Sequence, residues 1–167
     1  MKIIKYFFQA IIIYTFFIII KIIGISLSRK IFSSIFKIMG SALRSEVITN
    51  DNIEQDLNVD FEKRKKIINE MWSNYGKTFV EYLYLNNFKA NNSHITIKGK
   101  NILDKIKNEK KKVIFVSGHF ANFELMSMEI TKAGLNLATI YRPLNNFFLN
   151  PFMEYLRKKY ICKNQIK

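Results

Sequence analysis

The stretch that most constrains this chain runs VIFVSGHFANFELMSMEITKAGLNLATIYRP, from Val113 to Pro143. Its first apolar run, Val113 to Val116, is rich in β-branched residues and bounded by lysines before it and Ser117-Gly118 after it, the pattern of a buried strand. From Asn122 to Ala133 apolar residues recur at helical spacing (Phe123, Met126, Ile130, Ala133), and Gly134 stands where a left-handed C-cap ends a helix. A second apolar run, Leu135 to Tyr141, closes at Arg142-Pro143. Strand, helix and strand in succession cross over right-handed almost without exception, so the two strands are expected to be parallel and to point their C-terminal ends at one sheet edge. The expected fold class is α/β.

His119 and Arg142 each follow the end of an expected strand, which places both at the edge where open α/β sheets bind their ligands. Glu124 comes five residues after His119. On one continuous helix that separation is a rotation of about 140°, and the two side chains would not share a face. With His119 in the turn before the helix and Glu124 in its first turn, the carboxylate can reach back to the imidazole. A carboxylate in that place fixes the tautomer of a His that takes a proton from a hydroxyl.

The runs SGHFANFEL and IYRPLNN resemble the lauroyl/myristoyl acyltransferases of lipid A biosynthesis, in which an H-x-x-x-x-D/E motif precedes a Y-R-P-L-x-N stretch. The resemblance implies His119 and Glu124 as the catalytic pair and Arg142, Asn122 and Asn145 as substrate-binding residues. It implies an acyl-carrier protein as donor, a lipid A precursor as acceptor, a lysophospholipid-acyltransferase-like fold, and no cofactor and no metal. It extends back through MWSNYGKTFVEYL (Met71 to Leu83) and ITIKG (Ile95 to Gly99). The family's usual G-H-F-G-N-W-E has Ala121 and Phe123 here, and Ala121 would tighten the turn if the backbone there requires positive φ.

Composition bears on the partner. Against 27 Lys and Arg stand 13 Asp and Glu, a formal net charge of +14 over 167 residues, which draws the chain toward phosphate-bearing lipid or nucleic acid. Part of that excess equally fits an AT-rich coding bias toward Lys and Asn. Nucleic acid is disfavoured, because the basic residues are scattered among apolar anchors and no reader motif is present. A single cysteine, Cys162, excludes an internal disulfide.

Met1 to Ile23 is nearly all apolar, and from Tyr6 to Leu27 a helix would span about 33 Å, enough to cross a hydrocarbon core with Lys21 snorkelling near its far end. Residues 1–27 are thus expected to be a transmembrane anchor. Lys2 and Lys5 also suit a signal peptide, but the run is long and no A-x-A site follows. Arg29, Lys30, Lys37 and Arg44 after the anchor place the bulk of the chain on the cytoplasmic side, and the resemblance implies that the membrane is a bacterial inner membrane. On a helical wheel Lys30, Ser33, Ser34, Lys37, Ser41 and Arg44 oppose Ile31, Phe32, Ile35, Phe36, Met39, Ala42 and Leu43. That is a helix for an anionic bilayer surface or for packing on the enzyme core, and residues 28–60 are read as this interfacial helix and a loop from Ser45 to Asp60.

Residues 61–167 are read as a partial acyltransferase domain. Its strongest helix is Glu62 to Leu85, with Ile68, Met71, Trp72, Tyr75, Phe79, Tyr82 and Leu83 on one face, as core or as the wall of an acyl-chain groove. Ile95 to Ile97 is expected to be a short strand, His94 a surface or structural histidine, and Asn101 to Asn108 a helix with Ile102, Leu103 and Ile106 inward. Lys105, Lys107 and Lys110 to Lys112 form a solvated face or an anion-attracting rim. A last helix is expected from Pro151, capped by Asn150, with Arg157, Lys158 and Lys159 at its basic end. One strand-helix-strand unit leaves parallel strands with open edges, so the chain is expected to be the N-terminal portion of a longer domain. Its activity by itself is left open.

The functions weighed are acyl transfer from acyl-carrier protein to a lipid A hydroxyl, acylation of a general lysophospholipid or glycolipid, and binding of anionic membrane without catalysis.

Overall fold

The structure is a computed structural model and describes residues 2–43, 59–91 and 94–167. It is mostly helical, with a small parallel sheet of two strands. The chain divides into two compact units, residues 19–83 and residues 1–18 with 84–167.

Helix α1, Lys2–Ile23, is apolar enough over 22 residues to cross a membrane, with mean hydropathy 2.1. At 1.5 Å per residue it is about 33 Å long. Ile3, Ile4, Phe8, Ile11, Ile12 and Ile18 are exposed on it. Its end comes earlier than the apolar run does, because Gly24 takes φ +80°, a left-handed turn of backbone that breaks the helix before Ile25.

In the unit of residues 19–83, helix α2 (Ile25–Leu43) packs along helix α3 (Phe61–Glu81). Asp60 starts α3 by accepting the Lys63 N–H at 2.7 Å, an ordinary aspartate N-cap. Of the face expected, Trp72 and Phe79 pack on α2 and Leu83 is buried, but small residues beside them are more deeply buried than the aromatics. Ser73, Gly76 and Val80 are buried and Tyr75 is exposed. Small residues decide this: a Cβ on Gly76 would lie 2.3 Å from the Phe32 carbonyl oxygen, so the two backbones touch where nothing larger than glycine fits. Phe79 then packs against Phe32 and Phe36 on either side of the contact.

Ser33, placed on the polar face of α2 by the wheel, is buried instead and shares a 2.6 Å hydrogen bond with Ser73. Arg29 pairs with Glu81 at 3.2 Å. Lys30 and Lys37 stay exposed beside exposed Leu27, Ile31 and Ile38, so α2 packs on α3 with one face and shows a mixed basic and apolar face to its surroundings. Lys21, expected to snorkel, donates to the Leu83 carbonyl at 2.6 Å. Arg44 and the expected loop as far as residue 58 lie outside the described residues.

In the other unit, one stripe of α1 packs on residues 146–152. Tyr14 donates to the Phe148 carbonyl at 2.9 Å, Asn146 Nδ2 donates to the Tyr6 carbonyl at 2.9 Å, and Phe17 and Tyr14 both meet Phe152. A short 3-10 turn, Tyr82–Tyr84, leads into helix α4 (Leu85–Ala90), and helix α5 (Lys100–Asn108) follows with Ile102 exposed rather than inward. His94 stacks on Phe88 at 4.3 Å between centroids, the structural placing expected of it.

Helix α6, Glu124–Lys132, ends as the sequence indicates. Gly134 has φ +85°, its N–H reaches the Thr131 carbonyl at 3.0 Å, and the Leu135 N–H reaches that of Ile130 at 3.4 Å, which together close a Schellman cap.

The sheet corrects the expected order. Neither Val113 to Val116 nor Ile95 to Ile97 forms a strand, and Ile114 and Val116 are 92% and 91% exposed. A strand exists only through its partner's hydrogen bonds, and among the described residues this segment has none. The parallel pair is instead β1 (Ala138–Ile140) with β2 (Asn164–Ile166), Thr139 opposite Gln165. The crossover between them runs through α7 (Asn150–Leu156) and a π-helical turn, Arg157–Ile161. The strand-helix-strand unit is present one step later than the hydrophobic pattern suggested. Asn150 is the first residue of α7 rather than its cap, and its Oδ1 accepts the Leu144 N–H at 2.8 Å.

Candidate active site

The chain approaches α6 through the extended residues 113–118 and a tight bend at Ala121, whose φ is +46°. Positive φ is uncommon for alanine and reflects the bend needed to bring Phe123 and Glu124 onto the helix start. Leu125 and Met126 open the helix by bonding the carbonyls of Asn122 and Phe123 at 3.2 Å each.

His119 is exposed, and its ring lies 4.1 Å from that of Phe123, centroid to centroid. Glu124 is buried. Its Oε1 is held by Arg157, through Nη2 at 2.6 Å and Nε at 2.7 Å, and not by the His119 imidazole as expected. The guanidinium also lies 5.8 Å from the Tyr141 ring centre. The Tyr141 hydroxyl donates to Glu154, which further accepts from Asn150 at 3.0 Å and pairs with Lys167 at 2.8 Å. Lys167 first, then Tyr141 and Asn150, hold the Glu154 carboxyl down at about 2. Loss of water contact, and after it Glu154, raise the Tyr141 phenol above its ordinary range.

The structure thus joins Glu124, Arg157, Tyr141 and Glu154 in one cluster. Arg142 and Asn145 are exposed just beyond β1, Asn122 is half-buried in the turn before α6, and His119 stands at the surface. Arg157 was missed by the sequence reading, which saw only the basic end of a helix. The usable signal was an arginine placed where two lysines follow, since a planar two-donor fork suits a shielded carboxylate and an ammonium does not.

Beside the motif lies an apolar cavity of about 420 Å³. Ile95, Ile97, Ile102, Phe115, Leu125 and Met126 line it, so its walls come from the segments on either side of His119 and Glu124. Glu129 is the acidic residue at its margin, and it pairs with Lys132 at 2.8 Å. Among the described residues no group of His, Cys, Asp and Glu is arranged to hold a metal ion.

The sequence profile of the bacterial lipid A biosynthesis acyltransferases matches residues 1–162. The chain belongs to that family. It is an acyltransferase by descent, and its family implies a lipid A-type acceptor. No curated protein matches the chain, and no solved structure does. Family membership and the apolar α1 together associate this acyltransferase with a membrane.

Proposed function

We propose that the chain transfers a fatty acyl group from the thioester of an acyl-carrier protein to a hydroxyl of a lipid A precursor, at the cytoplasmic face of a bacterial inner membrane. His119 acts as general base and Glu124 as its acidic partner. The acceptor oxygen attacks the thioester carbonyl carbon, and its proton passes to His119. The C–S bond then breaks and the carrier thiolate takes the proton back, so no acyl-enzyme and no nucleophilic Ser or Cys is needed. Arg142 steadies a phosphate or the developing oxyanion, with Asn122 and Asn145 as further substrate contacts.

The observation that carries this reading is the apolar cavity between Phe115 and Leu125-Met126, in the size range of ligand pockets and bounded by the same segments that carry His119 and Glu124. A fatty chain is the ligand for which such a lining suits the family's chemistry. Exposure of His119 leaves it open to an acceptor presented from a membrane surface. In this reading residues 1–27 anchor the protein, residues 28–60 lie at the bilayer interface, and residues 61–167 carry a portion of a lysophospholipid-acyltransferase-like domain.

The deciding experiment follows labelled acyl groups from acyl-carrier protein to a lipid A precursor and, in parallel, to a lysophospholipid. Transfer to the precursor alone, lost in His119→Ala, is the expected result. Full activity in His119→Ala, or transfer only to the lysophospholipid, would overturn it.

A further inference from the structure

We infer that the basic segment from Lys98 to Lys112, built around helix α5, is the docking surface for the acidic protein that carries the acyl thioester. The inference rests on the donor proposed above, an acyl-carrier protein, and adds where on this chain it binds.

The segment holds seven lysines against Asp104 and Glu109, and all nine residues are exposed. Part of this charge is used within the segment and its neighbours. Lys111 pairs with Glu109 at 2.6 Å and Lys105 with the same carboxylate at 4.0 Å, while Lys107 donates to the Ala133 carbonyl at 3.2 Å and so ties α5 to the end of α6. Lys98, Lys100, Lys110 and Lys112 form no ion pair among the described residues. Crowded ammonium groups repel one another until an anionic partner relieves them.

Their place in the fold decides which partner. Lys98 lines the apolar cavity beside Ile97, Gly99 turns the chain at φ +81°, and Ile102 on the first turn of α5 lines the cavity again. After Lys112 the chain returns to the same cavity at Phe115. The basic segment therefore leaves the cavity wall at one end and rejoins it at the other, so a carrier bound to it holds its thioester beside the space proposed for the fatty chain. The surface is also built for protein rather than for bilayer. Between Lys98 and Lys112 the exposed large apolar side chain is Ile102 alone, whereas α2 shows Leu27, Ile31 and Ile38 beside its lysines. A helix that enters a bilayer surface needs such an apolar face to bury. Exposed charge without one speeds encounter and sets orientation more than it tightens binding, which suits a carrier that must leave after each transfer.

The test measures the Kd of a labelled acyl-carrier protein for the full chain in detergent, beside transfer from the carrier thioester to lipid A precursor. For Lys100→Glu/Lys112→Glu the expected result is a rise in carrier Kd of about tenfold or more and a similar rise in KM for the carrier thioester, with kcat and the KM for the precursor within about twofold. Lys30→Glu/Lys37→Glu on α2 makes the same change in net charge and should leave carrier Kd within about twofold. If the first variant does not yield folded protein, Lys100→Gln/Lys112→Gln is read instead, with a rise of about threefold. A carrier Kd unchanged by substitution at Lys100 and Lys112, or raised equally by the α2 variant, overturns the inference alone. So does loss of binding to phosphatidylglycerol vesicles with carrier binding kept, which would place lipid on the segment. A wild-type chain that binds no carrier overturns the proposed donor and the inference with it. Carrier binding that depends on these lysines, without any transfer, supports the docking surface and overturns the proposed reaction.

Discussion

Ala121 holds the tightest backbone in the site, at φ +46°. A Cβ in the left-handed region costs about 1–2 kcal/mol, and glycine escapes that cost while losing about 0.5–1 kcal/mol of chain entropy. Ala121→Gly is therefore expected to stabilise the fold by a net of about 0.5–1 kcal/mol, seen as a higher midpoint in thermal unfolding. A lower midpoint would show that the methyl group is needed for packing. The sequence pointed to this residue through a comparison of motifs, and the backbone angle supplies the reason. Glu154 offers a second test. Its folded-state carboxyl is depressed to about 2 by Lys167, Tyr141 and Asn150, so its stabilisation is complete above the unfolded value of about 4.3 and is lost as pH falls through about 2. Acid unfolding followed by circular dichroism should steepen in that window for the wild type. The loss should be shallower in Glu154→Gln.

At the scale of elements, helices were more legible than strands. α1 announces itself by its apolar run, α2, α3, α5 and α6 by periodicity over nine or more residues, and the end of α6 by Gly134. Periodicity located Trp72, Phe79 and Leu83 on the packed side of α3 and the turn after it but not the closest contact, because close approach selected Ser73 and Gly76 beside them. Gly76→Ala should separate α2 from α3 and destabilise the unit by about 1–3 kcal/mol, measured by denaturant unfolding. An unchanged midpoint would mean that the helices slide to accommodate the methyl. Strands failed for another reason: Val113 to Val116 has the composition of one, but pairing is a property of two segments, and β2 at Asn164–Ile166 is too short and polar to be recognised alone. The site suffered in the same way. His119, Glu124 and Arg142 were singled out from spacing and resemblance, whereas Arg157 is joined to Glu124 only once the π-helical turn brings it back across 33 residues.

For the whole molecule, α1 is more than a tether. Tyr6, Tyr14 and Phe17 pack on residues 146–152, so the helix that would sit in the membrane also walls the unit carrying the candidate site. Tyr14→Ala should leave the protein in the membrane pellet after alkaline extraction but lower its thermal stability by about 1–2 kcal/mol, through lost ring contacts and the lost bond to Phe148. Release from the pellet, or no change in stability, would show that α1 and the unit it packs on are independent. The basic excess, concentrated in exposed lysines such as Lys30 and Lys37, adds attraction to anionic headgroups that salt should weaken.

The bare ribbon from Val113 to Val116 has its own consequence for how the protein lives in a crowded cell. Greasy extended backbone is adhesive, and two copies meeting there can pair strand to strand. Overproduction should thus send the polypeptide into inclusion bodies, and dilution or a chaperone that masks extended segments should keep it dispersed.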